Sequence, residues 1–201
     1  MTIAALHYEP WQWEFLKNNP GIAILPAQNI EMLFALQADA YMIFNVREII
    51  QITEMKKPVL LGCVTKSNKE INVPDHVIRF NDWNGFLEKP KWEITGERSA
   101  AVIEILKHLG KEPVFCNDQP GFISARVIAL IINEAYYALG EEVSTKKEID
   151  TAMKLGTNYP YGPFEWCEKI GKERVYQLLN NLSKTDERYH PAPGLVKECM
   201  L

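Results

Sequence analysis

Residues 116–171, CNDQPGFISARVIALIINEAYYALGEEVSTKKEIDTAMKLGTNYPYGPFEWCEKIG, decide the fold. Pro120 and Gly121 open a helical pattern in which Phe122, Val127, Ile131, Ala135 and Leu139 recur at four- or five-residue steps, so an apolar face has to be buried. Thr145 with Glu148 three residues on has capping-box spacing, and predicts a second helix through Ile149, Ala152 and Met153 that stops at Gly156. Tyr159-Pro160-Tyr161-Gly162-Pro163 cannot continue that helix, because two prolines lack the amide donor, whereas Pro163 suits the first turn of the next one. Phe164, Trp166, Cys167 and Ile170 then predict a short helix ended by Gly171. Val175, Leu178, Leu179 and Leu182 predict an amphipathic helix after it. Arg188 to Gly194 reads as a proline-rich, extended tail.

Upstream of this helical region the pattern alternates. Ile22 to Leu25 predicts a short strand, Asn29 to Leu36 a helix, Tyr41 to Phe44 a second strand and Glu48 to Met55 a short helix. Val59 to Val64 is nearly continuous in apolar character, as expected of a strand covered on both faces. Val77 to Phe80, Trp92 to Thr95 and Val114 to Cys116 add extended pieces, and Ser99 to Leu109 predicts a helix stopped by Gly110. Trp11, Trp13 and Phe15 alternate and are expected to anchor the chain start on the core. The order predicts a small, mostly parallel sheet with helices on its faces, over residues 1–116, followed by a helical domain over 117–201.

A formal net charge of −4 without a basic run gives no nucleic-acid footprint. No apolar run approaches the ~20 residues that span a bilayer, so a cytoplasmic protein without a membrane partner is expected. Cys63, Cys116, Cys167 and Cys199 are widely spaced, as are the four histidines, so neither a disulfide scaffold nor a local metal motif is suggested. No Gly-x-Gly-x-x-Gly occurs. The junction Leu25-Pro26-Ala27-Gln28-Asn29 offers no glycine for a close approach of backbone to pyrophosphate.

Pro120-Gly121-Phe122-Ile123, Asn133-Glu134-Ala135, Glu148-Ile149-Asp150, Ala152-Met153 and Gly162-Pro163-Phe164 follow one another in the order found in the 3-hydroxyacyl-CoA dehydrogenases, whose C-terminal helical domain the chain resembles. Glu187-Arg188-Tyr189, Pro191 and Leu109-Gly110-Lys111 extend the likeness. The resemblance implies a truncated Rossmann-like sheet followed by a 6-phosphogluconate-dehydrogenase-like helical domain, with a homodimer formed through the latter. It implies hydride transfer at the 3-hydroxy carbon of an acyl-CoA, with a histidine as base, held by a glutamate.

Placed on the family's His-Phe-Phe-Asn-Pro-like segment, Asn81 stands at the histidine and Glu93, twelve positions later, at the glutamate. An asparagine cannot take and hold a proton near neutral pH. The family's asparagine after Gly-Phe-Ile falls at Ala125, beside Ser124 and Arg126. Its oxygen-binding Asn-Thr-Ser segment falls at Val64-Thr65-Lys66, with Ser67 next. Glu93, Asn81 and Thr65 are thus the candidate catalytic positions, and Lys66, Ser67, Ser124 and Arg126 the candidate substrate contacts. His76 is a second imidazole near the first position, read as a solvated surface histidine.

Three departures on one reaction path predict a divergent relative that has lost hydride transfer, needs no cofactor, and binds an acyl-CoA or a protein partner. Two alternatives stand beside it. One is an active oxidoreductase of fatty-acid metabolism that uses NAD through a rearranged site or a partner-supplied NAD domain. The other is a structural homodimer.

Overall fold

A computed structural model describes residues 1–46, 52, 57–74 and 76–200. The helix expected over Glu48 to Met55 lies outside the described residues, apart from Ile52. The chain divides into two compact units, Met1–Phe122 and Ile123–Leu201. No helix among the described residues is long and apolar enough to cross a membrane.

The first unit is built on seven strands: β1 (Thr2–Leu6), β2 (Ala23–Pro26), β3 (Ala40–Ile43), β4 (Val59–Gly62), β5 (Val77–Phe80), β6 (Lys91–Thr95) and β7 (Glu112–Phe115). They form one sheet in the order β2-β1-β3-β4-β5-β6-β7. Every neighbouring pair is parallel except β5 with β6. Strand alternation sends Ile3, Ala5, Met42, Leu60, Ile78 and Phe80 to one face, where they pack with α1 (Pro10–Lys17) and α3 (Ala100–His108). Ala4, Leu6, Tyr41, Ile43, Val59 and Leu61 go to the other, against α2 (Ile30–Ala35). Asn29 and Ser99 cap α2 and α3 by accepting from Met32 N and Val102 N.

One sequence expectation changes here. The sheet begins at Thr2–Leu6, an element absent from the reading above, because its two alanines are weak strand formers and its apolar run has no alternation. Trp11, Trp13 and Phe15 belong to helix α1, whose buried residues are Gln12 and Leu16, while Trp11 and Phe15 pack half-buried against the core.

The second unit is helical: α4 (Ser124–Gly140), α5 (Lys146–Thr157), α6 (Pro163–Ile170), α7 (Lys172–Ser183), a 3-10 turn (Glu187–Tyr189) and α8 (Pro193–Met200). α4 packs against α6, α7 and α8. Its buried side is Ala125, Ile128, Ala129, Ile132, Asn133, Ala135 and Tyr136. The expected face is therefore out of phase, since Val127 is 52% exposed and Ile131 and Leu139 only half-buried; steps of four and five drift around a helix of 3.6 residues per turn. α5 has the predicted capping box and runs to Thr157, one residue past the expected stop at Gly156, with Asn158 in the left-handed conformation as its C-cap.

Asp150 explains the stiff corner after α5. Its carboxylate accepts from the amides of Phe164 (2.8 Å) and Glu165 (3.3 Å), satisfying the first turn of α6. Gly162 leaves room for it, because a β-carbon there would stand 2.4 Å from the Asp150 side chain. The tail is also not extended throughout. Asn133 donates to His190 O and accepts from Ala192 N, both at 2.8 Å, and α8 then starts at Pro193, where a missing donor costs nothing.

Candidate functional site

The carboxyl ends of β4 and β5 carry the residues singled out in the first unit. Asn81 follows β5 directly and is 4% exposed. Antiparallel pairing sets Asn81 N on Glu93 O at 3.2 Å and brings the two side chains together, with Asn81 Nδ2 donating to Glu93 Oε2 at 3.4 Å. Asn81 Oδ1 accepts from Trp83 N at 3.2 Å, which fixes the amide's orientation. The sequence spacing of twelve thus corresponds to a real contact. The amide can donate to an oxygen but cannot store its proton, whereas the carboxylate can accept one.

Thr65 and Lys66 stand half-buried in the turn after β4, and Ser67 is buried. Ser67 N donates to Glu70 Oε2 (2.6 Å) and its hydroxyl accepts from Glu70 N (3.2 Å), so the serine closes its own turn. His76 is not the solvated histidine expected, because its Nε2 is buried and has no hydrogen-bond partner among the described residues. Ser124, Ala125 and Arg126 open α4 in the other unit. Ala125 is fully buried, and the Arg126 guanidinium lies 5.6 Å from the centre of the Tyr189 ring.

Sequence reasoning missed Arg79. Its side chain has no exposure and uses its fork on four acceptors: Asn68 Oδ1 (3.1 Å), Cys63 O (2.9 Å), Asp118 Oδ1 (3.1 Å) and Gln119 O (2.8 Å). Burial lowers its pKa from the ordinary guanidinium value, and the charges of Cys63 and Asp118 act against that. A charged residue inside the apolar run Val-Ile-Arg-Phe was the available signal, since arginine is almost never fully buried unless paired.

The first strand-to-helix turn is Leu6 to Pro10, not the junction at Leu25–Asn29. It lies where the chain reverses direction across the sheet, with β2 on one side of β1 and β3 on the other, which is where an open α/β sheet receives a dinucleotide. A pyrophosphate there needs glycine-permitted approach and free amide donors. This turn has no glycine, Pro10 removes one donor, and Glu9 puts a carboxylate at the helix start. Glu9 N donates to Gln12 Oε1 (2.8 Å) and Trp11 Nε1 donates to Glu9 Oε2 (2.7 Å). Asn45 Nδ2 bridges His7 O (2.8 Å) and Gln12 Oε1 (3.0 Å), while Asn45 N donates to Asp82 Oδ2 (2.8 Å). The Asp82 carboxylate fills the space that a β-carbon on Gly62 would take. The residues present do not fit a pyrophosphate seated on this turn.

Residues 121–201 match the family model described as 3-hydroxyacyl-CoA dehydrogenase, C-terminal domain. Over 102 residues the chain is 43% identical to 3-hydroxyadipyl-CoA dehydrogenase of Escherichia coli K12, a match covering 50% of this chain and 22% of that protein. It is 33% identical over 142 residues to 3-hydroxybutyryl-CoA dehydrogenase of Clostridioides difficile, covering 67% of this chain and 50% of that one. The crystal structure of (S)-3-hydroxybutyryl-CoA dehydrogenase from Ralstonia eutropha superimposes with a TM-score of 0.78 at 18% identity, over 99% of this chain and 93% of that one, which speaks to the fold. The matches span between 22% and 50% of the length of these two curated relatives.

The relatives overturn the expectation that no cofactor is needed. They are dehydrogenases, whose two-electron oxidation requires a hydride acceptor, and the kinship points to NAD in that role. The helical unit matches the 3-hydroxyacyl-CoA dehydrogenase C-terminal domain throughout, and the mostly parallel sheet before it shares the fold of the Ralstonia eutropha enzyme.

Proposed function

We propose that the chain is an oxidoreductase of the 3-hydroxyacyl-CoA dehydrogenase type, acting on an acyl-CoA in fatty-acid metabolism with NAD as the hydride acceptor. The observation that carries this reading is the hydrogen-bonded pair of Asn81 and Glu93 at the positions of the family's base and its carboxylate. Oxidising a 3-hydroxyl removes a hydride from carbon and a proton from oxygen. Glu93 is the group of the pair that can take that proton, and Asn81 is the one that can orient the oxygen by donating to it. Thr65, Lys66, Ser67, Ser124 and Arg126 are the proposed substrate contacts. Because the turn after β1 does not seat a pyrophosphate, NAD is held through rearranged contacts or by a nucleotide-binding domain of a partner chain. The reading includes a homodimer through the helical unit, supported by the exposure of Val127, Val143, Leu155 and Met200, and sedimentation velocity checks it.

The test is NADH absorbance with acetoacetyl-CoA, for the chain alone and mixed with a full-length 3-hydroxybutyryl-CoA dehydrogenase whose own catalytic histidine is disabled. The expected result is NADH loss that depends on acetoacetyl-CoA and disappears in Glu93→Gln. NADH that stays constant in both settings contradicts the reading. Asn81 and the apolar Ala125 favour a second reading, in which the chain binds an acyl-CoA without turning it over. Saturable calorimetric binding of acetoacetyl-CoA with no NADH loss would select it.

A further inference from the structure

The two segments carrying the proposed substrate contacts of the first unit and the approach to α4 meet on one buried cation. Arg79 Nε and Nη1 hold Asn68 Oδ1 and Cys63 O, which flank Thr65, Lys66 and Ser67. Its Nη2 holds Asp118 Oδ1 and Gln119 O, in the segment between β7 and α4. Asp118 returns the contact by accepting from Asn68 N (2.8 Å) and Lys69 N (3.1 Å), and Gly121 N donates to Val64 O (2.7 Å). Phe122, at a backbone φ of 48°, covers the guanidinium with its ring, 4.3 Å away. A planar fork with fixed donor directions restrains all these acceptors together in a way that a lysine's single ammonium does not.

We propose that Arg79 is a positioning residue for the acyl-CoA site, locking the 63–70 turn and the 117–122 segment into one arrangement so that the two loosen or hold as a unit. This rests on the acyl-CoA reading only for its ligand; the coupling of the two segments stands on the hydrogen bonds alone. The partners of Arg79 lie in the 63–70 turn and the 117–122 segment, so its effect is on where Thr65, Lys66 and Ser67 are held.

The test compares the full chain with Arg79→Lys and with Asp118→Asn. The second change falls on a carboxylate that is 33% exposed, and it removes charge while keeping shape. Hydrogen exchange is read for peptides covering 63–70 and 117–122, and acetoacetyl-CoA affinity is read by calorimetry. In both variants exchange is expected to rise roughly 10- to 100-fold in both peptides together, the span set by losing one hydrogen bond to a charged group, with protection in α3 unchanged. Acetoacetyl-CoA binding weakens in parallel in both variants. Exchange that rises in one peptide alone, or in neither, overturns the coupling. Unchanged acetoacetyl-CoA affinity in variants with faster exchange overturns the positioning role. A wild-type chain that fails to bind acetoacetyl-CoA sinks the acyl-CoA reading and the positioning role with it, while the exchange pattern still decides the coupling.

Discussion

The two units bury polar side chains for different purposes. In the helical unit each sits at a single joint: Asp150 caps α6, and Asn133 brackets the segment from His190 to Ala192. In the α/β unit they gather at the carboxyl edge of the sheet, where Arg79, Asn68 and Asp118 form one network and Gln12, Asn45 and Asp82 another. The joints belong to the stretch that keeps the family's order of motifs. The networks occupy the edge where an α/β sheet presents its ligands, and where Asn81 and Glu93 meet. Buried polar groups in the helical unit thus fix single joints between helices, and those of the α/β unit form connected networks.

Removing the largest network should hurt most. Arg79→Met leaves four acceptors without their donor, and the expected destabilisation is about 3–4 kcal/mol, read by chemical denaturation. A loss no greater than that of a surface substitution would make the network incidental. In the helical unit, Gly162→Ala drives a methyl into the Asp150 side chain and is expected to cost about 2–3 kcal/mol, through overpacking and the displaced cap. Asn133→Ala leaves Ala192 N without its acceptor and His190 O with the longer bond from the Tyr137 hydroxyl (3.3 Å), for an expected loss of about 2 kcal/mol, with α8 showing faster hydrogen exchange before the other helices.

Thiols sharpen the same comparison, because each unit has one buried and one half-buried cysteine: Cys63 with Cys116, and Cys167 with Cys199. Burial pushes the Cys63 thiol up to about 11 and Cys167 to about 12 from an ordinary value of 9.0. Both folded values lie above the unfolded one, so the folded state holds these protons more tightly. The associated stability is complete below about pH 9, and is lost as pH rises towards about 11 in the α/β unit and about 12 in the helical unit. Denaturation midpoints measured across that range should fall, and Cys63→Ala should flatten the fall in the α/β unit alone. At neutral pH a thiol reagent should label Cys116 and Cys199 first. Equal labelling of all four in the folded protein would contradict the burial.

Local signals read well from sequence when a few neighbouring residues decide them. Thr145 and Glu148, Ser99, Asn29, and Pro163 after Gly162 all mark the ends they were expected to mark. Thr2–Leu6 was illegible because an unalternating run with two alanines looks like no particular element until β2 and β3 pair on either side of it. The face of α4 was misphased because Val127 and Ile131 are as apolar as the residues actually buried, and only the packing of α6, α7 and α8 chooses between them. The contact between Asn81 and Glu93 was legible through the family's spacing. The one between Arg79 and Asp118 was not, because 39 residues separate the partners and no local pattern joins them.

The central claim is that this chain carries the family's redox site with the imidazole replaced, and the most direct measurement restores the imidazole. NADH oxidation by acetoacetyl-CoA is compared between the wild-type chain and Asn81→His, in the presence of the same histidine-disabled partner dehydrogenase. The account predicts slow wild-type turnover and a rise of roughly 10²- to 10⁴-fold in Asn81→His, the usual contribution of a positioned general base, with the gain abolished by Glu93→Gln. An Asn81→His protein that folds and binds acetoacetyl-CoA yet leaves NADH untouched would contradict it.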